Sequence, residues 1–196
     1  MIRLEKLLNW SSCITYDEGH VINEYFVTIA FHNEAENEQE QSIAYQRLKW
    51  WIYDVMQGAV MINEADPLLE MYRSTRQRVL AVPDDPVDHL VTMMLYLKLN
   101  AIMEGRLIID EIRLSSEQGD HVCYLHSNDE DGIVFDTEGW WVDPRPIWQT
   151  RAANATQDNI VALDRPCEWS DLGLGWDQDE HQSQVVYADF GKNEKK

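Results

Sequence analysis

The residues able to do chemistry are few and scattered. The sequence has six histidines, the side chain that most readily moves protons near neutral pH. Only Asp120, His121 and His126 crowd together, with Asp129 and Asp131 just beyond. That set has the donors for a metal or an acid–base pair, but a spacing of five along a regular strand sends its two histidines to opposite faces. Arg73, Arg76 and Arg78 form the basic cluster of the chain and are a candidate anion site. The same arginines have a structural reason, because Glu64, Asp66 and Glu70 precede them and the order complements a helix dipole. Cys13, Cys123 and Cys167 lie far apart without a C-x-x-C, which argues against a disulfide framework or zinc knuckle and for free thiols. The chain has no phosphate loop, no G-x-G-x-x-G, no H-E-x-x-H and no G-x-S-x-G. The expectation is a protein with no cofactor and no metal.

Charge sets the class of partner. Sixteen Lys and Arg stand against 35 Asp and Glu, a net charge of −19. Direct nucleic-acid binding needs the opposite sign, because phosphates call for clustered Lys and Arg. Three uses of the charge remain: solubility, docking on a basic protein partner, and imitation of a DNA backbone in the cleft of a nucleic-acid enzyme. The apolar runs are too short to span a membrane, and the leading MIRLEKLLNW lacks the apolar region of a signal peptide. These features predict a soluble, cytoplasmic protein.

The elements that must position these groups follow from periodicity. Residues 2–32 predict a β-hairpin with its turn at Asp17-Glu18-Gly19-His20. Tyr25, Val27, Ile29 and Phe31 alternate against Phe26, Thr28, Ala30 and His32, with Thr28 and His32 toward the wetter face. The acidic stretch from Asn33 to Gln41 reads as a solvated loop, and Ser42 to Gln57 as an amphipathic helix ended by Gly58. Trp50 and Trp51 are adjacent, so one of them must leave the apolar stripe. Asp66-Pro67 opens a shorter helix, and Asp85-Pro86 repeats the device before a long one ended by Gly105. The strand after Gly105 breaks its alternation at Asp110-Glu111, which predicts a bulge, and a strand returns from about His121.

After residue 126 the character changes. Pro144, Pro146, Pro166 and several glycines punctuate a stretch with little periodicity, yet it carries Trp140, Trp141, Trp148, Trp169 and Trp176. Disordered segments are poor in tryptophan. This reads as an irregular arm whose tryptophans are contacts, either on its own body or on a neighbour.

The order β–β–α–short α–α–β–β resembles the unit of the tunnelling fold, the family of 6-pyruvoyl- and 6-carboxy-tetrahydropterin synthases. Gly19-His20-Val21-Ile22 is similar to the Gly-His entry into the family's second strand. Tyr45-Gln46-Arg47-Leu48-Lys49 is similar to its "F-x-x-L-K" phrase, Ile62-Asn63 to its "L-N", and Ile112-Arg113-Leu114 to its "V-R-V" strand. The resemblance covers residues 2–125 and implies a pterin-type small-molecule site. It places Cys13 near the family's catalytic cysteine, His20 in its zinc-binding His-x-His, and Glu117 one residue from its pterin anchor. The first-strand zinc position falls on Trp10-Ser11-Ser12, Glu18 stands where the second paired histidine belongs, and the activating Asp-His falls on Gly58-Ala59. Ser116 occupies the anchor position itself. The resemblance therefore implies a site that has lost its chemistry or been given another.

The reading is an α+β protein: an antiparallel four-stranded sheet in ββααββ order, helices packed on one face, and an irregular C-terminal arm. Residues 1–126 form the α+β domain and 127–196 the arm. The expected function is non-enzymatic interaction or assembly, with a protein partner or by self-association into a homo-oligomer, through the acidic surface and the arm. The alternatives are a pterin-type enzyme using Cys13, His20 and Glu117, and an acidic DNA mimic.

Overall fold

The computed structural model describes residues 3–16, 19–75, 77–127, 139–146 and 167–176. Its frame is the long hairpin that alternation predicts. β1 (Arg3–Tyr16) runs antiparallel to β2 (Gly19–Asn33) in one unbroken register, from Arg3 opposite His32 to Tyr16 opposite Gly19. Tyr25, Val27, Ile29 and Phe31 point into the core, while Phe26 is exposed and Thr28 half-buried. Period-two patterning fixes which face is inside.

The helix α1 (Glu38–Trp50) begins inside the stretch expected to be a loop. Asn37 caps it, accepting the Glu40 N–H at 2.9 Å, and Glu38 and Glu40 in the first turn suit the positive end of the helix dipole. The chain continues without a break into a π-helical turn, Trp51–Met56. Helix α3 (Asp88–Met103) carries the long apolar run and ends with Glu104 and Gly105 both in the left-handed region. It starts later than Asp85-Pro86 suggests: Val87 is the cap, and the Asp85 carboxylate instead accepts from Asn63 Nδ2.

The sheet is not the antiparallel four-stranded one. It has six strands in the order β4-β3-β1-β2-β5-β6, mixed in direction and curled into a half-barrel. β5 (Leu107–Ser116) and β6 (Tyr124–Ser127) extend the hairpin antiparallel, but β3 (Val60–Asn63) and β4 (Val79–Val82) pair parallel, β3 on the end of β1 and β4 on β3. Both additional strands flank the predicted short helix, α2 (Leu69–Arg73). VMIN is a short run buried on both sides up to Asn63, and VLAV is apolar at every position although Val79 and Ala81 are only half-buried, so neither sequence shows the polar alternation that betrays a strand. Parallel pairing also demands a crossover on a face of the sheet. Helices therefore lie on both faces, not one. α1 and α3 cover the main core, while Leu69 and Tyr72 of α2 pack on the opposite face with Val60, Ile62, Val79, Ala81 and Cys13.

The predicted bulge is present. Ala30 pairs with Glu111 and Phe31 with Ile109, which leaves Asp110 as the extra residue, 2.7 Å from His32 Nδ1. The described parts of the arm, residues 139–146 and 167–176, lie on the helical face and include one short 3-10 turn, Trp169–Leu172.

Candidate functional site

Cys13 and His20 meet through a residue that the sequence did not single out. Tyr72 Oη lies 2.9 Å from His20 Nδ1, and Tyr72 packs in the same small cluster as Cys13. Burial raises the Cys13 thiol above its ordinary pKa, and desolvation followed by Cys13 itself does the same for the Tyr72 phenol. An activated thiol needs the opposite shift. Glu117 does not join them: its N–H donates to the Glu24 carbonyl at the start of the β5–β6 turn. The arginine cluster does not converge either. Arg73 is paired with Glu70 on its own helix, Arg76 lies outside the described residues, and Arg78 has a buried Nη1 without a hydrogen-bond partner. Asp120 and His121 form a turn with positive φ, His126 is buried edge-on to Tyr96, and Asp129 and Asp131 are outside the described residues. Among the described residues no three His, Cys, Asp or Glu side chains are placed to hold a metal.

A second polar group lies at the inner face of the sheet. Trp10, Tyr25 and Ser116 form one row across β1, β2 and β5, with Trp10 stacked on Tyr25 at 4.9 Å. Ser116 Oγ donates to the Asp88 carboxylate, 2.8 Å from each oxygen, and accepts the Gly119 N–H. Gly119 is required there, because a Cβ would stand 2.2 Å from Asp88 Oδ2. Burial raises the Asp88 pKa against the lowering from Ser116, and desolvation raises that of Tyr25. Tyr25 Oη and Asn23 Nδ2 are buried without a well-formed hydrogen bond, although Asn23 is near enough to offset part of the shift. In the sequence Asp88 carries no signal beyond that of an acidic residue in the first turn of a helix.

The arm is held by two buried cations. Lys98, fully buried in α3, donates to the main-chain carbonyls of Asp143 (2.6 Å) and Arg145 (2.9 Å), with its ammonium 4.3 Å from the centre of the Trp51 ring. Desolvation lowers its pKa to about 7, only partly opposed by Asp143. Arg47 donates to the Leu174 and Ile102 carbonyls and to Glu104, and its guanidinium lies 3.6 Å from the Trp176 ring centre and 4.8 Å from that of Trp169. Periodicity set Arg47 outside the apolar stripe of α1, and burial of such a group without partners would be prohibitive. The clue to Lys98 was a lone cation inside the apolar run of α3.

Four of the five arm tryptophans are therefore packed on their own body. Trp140 donates to the Ala81 carbonyl of β4 and stacks on Trp51; Trp141 is buried beside it. Trp169 donates to the Pro144 carbonyl and meets Trp50 edge-on, and Trp176 donates to Glu104. This settles the adjacent pair in α1: Trp51 enters the core and Trp50 faces the arm. Trp148 lies outside the described residues.

Among the described residues nothing covers the outer face of β1, β2, β5 and β6. Leu7 is 73% exposed, Ile22 72%, Leu125 48% and Phe26 39%. Leu7, Thr28, Arg113 and Leu125 form one row across the four strands, and Phe26 sits in the next. Among the described residues α2 shields only the β3–β4 end of this face. None of the described helices is long and apolar enough to cross a membrane.

No family model matches the chain, and no curated protein matches it. One solved structure similar to it is that of the uncharacterized protein WS1659 from Wolinella succinogenes. The two are 9% identical, the match covers 65% of this chain and 98% of the other, and the TM-score is 0.47. A likeness that distant carries no argument about fold or function.

Proposed function

We propose that this chain is a non-enzymatic interaction or assembly protein that works through the outer face of its sheet. The observation that supports the reading is the exposure of Leu7, Ile22, Phe26 and Leu125 on the part of the face that α2 leaves uncovered among the described residues. Apolar groups concentrated on one exposed face mark contact sites more often than chance. The protonated, buried state favoured for the Cys13 thiol and the separation of Glu117 from it weigh against the pterin-type reading. The four described arm tryptophans, occupied on their own body, favour the sheet as the docking surface.

The test is a double variant, Ile22→Asp with Leu125→Asp, made at exposed positions so that folding is preserved. Sedimentation velocity and affinity co-purification of the full chain should both show complexes that the variant loses. Identical behaviour of variant and wild type in both measurements would refute the reading.

A further inference from the structure

Among the described residues, the long hairpin leaves one backbone edge without a partner. β1 pairs with β2 along its whole length, but on its other side the described partners begin only at Ser11. Ser11 accepts the Gly58 N–H and its own N–H donates to Gln57 Oε1; the Cys13 N–H donates to the Ala59 carbonyl. Peptide groups alternate sides along a strand. The N–H and C=O groups of Glu5, Leu7 and Asn9 therefore point to the same side as those of Ser11 and Cys13, and no described residue pairs with them there. The register against β2 has no break over these residues, so no bulge interrupts this edge. Natural sheets usually blunt such edges with bulges, prolines or a covering element. Here β4 shows that device, since Trp140 donates to its Ala81 carbonyl; among the described residues β1 has no such cover and carries only the charges of Arg3, Glu5 and Lys6.

We propose that this edge binds a second copy of the chain, with the two β1 strands antiparallel about a two-fold axis at Leu7. The proposal goes beyond the outer-face reading: it uses the backbone edge of β1, and Ile22, Phe26 and Leu125, which lie on β2 and β6, stay uncovered in it. A two-fold axis normal to the sheet keeps inner and outer faces in register, so residues pair with a constant even sum. Centred on Leu7, the pairs are Leu7 with Leu7, Glu5 with Asn9, and Lys6 with Leu8. The most exposed apolar side chain of the body meets its own copy, and no like charges face each other. The neighbouring registers are worse: an axis at Glu5 opposes two carboxylates, one at Lys6 opposes two ammonium groups, and one at Leu8 sets Glu5 against the already bonded Ser11 and keeps only two hydrogen-bonded pairs. The window closes at Ser11, whose groups are already bonded. Three hydrogen-bonded pairs result, joining two six-stranded sheets into one. With −19 on each copy, the association should strengthen as salt screens the long-range repulsion.

The experiment uses the full chain. Light scattering should give twice the 22.9 kDa chain mass at high concentration. Leu7→Lys and Leu7→Glu should each weaken association at least about tenfold, because like charges then meet at the axis, and an equimolar mixture of the two should restore it. Register is read by disulfides in a Cys123→Ser background. Glu5→Cys mixed with Asn9→Cys should cross-link between chains, since hydrogen-bonded partners sit about 5.5 Å apart at Cα, while neither variant alone should do so. A wild type that stays at chain mass, Leu7 variants that associate like wild type, or cross-linking of either cysteine variant alone overturns the proposal. If Ile22→Asp with Leu125→Asp abolishes complexes and the Leu7 variants do not, the edge fails while the outer-face reading stands. If only the Leu7 variants abolish them, the edge stands alone.

Discussion

Lys98 gives the sharpest quantitative expectation. Its ammonium is fully buried against Trp51, and its pKa falls from 10.5 to about 7, chiefly through desolvation. The unfolded chain therefore holds a proton that the folded chain releases between these two values. Where the unfolded state binds more protons, stability rises with pH, by about 1.4 kcal/mol per unit for one proton. Lys98 should thus contribute nothing to the pH slope below about 7 and a gain of about 2 kcal/mol between roughly pH 7.5 and pH 9. Lys98→Met keeps the length and apolar stem but cannot titrate. It also leaves the Asp143 and Arg145 carbonyls without their donor, at a cost of about 1–3 kcal/mol for each group left unsatisfied, opposed by removal of the desolvation penalty. Urea unfolding of both proteins across this range is the assay, read as the difference between the two pH profiles. Other titrating groups are common to both proteins and cancel. Parallel profiles would refute the reasoning and show that the two carbonyls and the Trp51 face keep the proton in place.

Arg47→Met should free the second arm segment, since Trp169, Trp176 and the Leu174 carbonyl lose the cation between them. Breaking such a buried set costs on the order of 3 kcal/mol, and tryptophan emission should shift to the red before the main unfolding transition. Asp88→Asn should be neutral or stabilising at pH 7. Burial raises the Asp88 pKa, so stability is lost as pH rises from the unfolded to the folded value, and the variant should lack that loss in unfolding curves between pH 4 and pH 7.

Legibility followed the kind of signal each element carries. β2 was readable because one face of Tyr25 to Phe31 is wet enough to keep the alternation. Gly105 and the Asp110 irregularity were readable because each marks a local backbone requirement. β3 and β4 were hidden, because Val60–Asn63 and Val79–Val82 are short and apolar on both sides, and parallel pairing leaves no turn between strands. The burial of Lys98, Arg47 and Asp88 was hidden for a related reason. A charged residue on a helix is ordinarily solvated, and only tertiary contacts reveal that main-chain carbonyls, a tryptophan face or Ser116 receive it. The candidates taken from family resemblance separated in space, with Tyr72 joining Cys13 to His20 and Glu117 left on the far turn.

The way the arm is fastened bears on how the chain matures. Lys98 finds its two carbonyl acceptors in Asp143 and Arg145, and Arg47 finds one of its three acceptors in Leu174, so the helical layer closes fully only once those peptides exist. During synthesis, Lys98 and Arg47 emerge long before the carbonyls that receive them, and the nascent sheet must wait with that layer hydrated. Folding of this protein should accordingly be a late event that follows translation of its last tryptophans, and messages cut short before them should yield product for the cell's proteases.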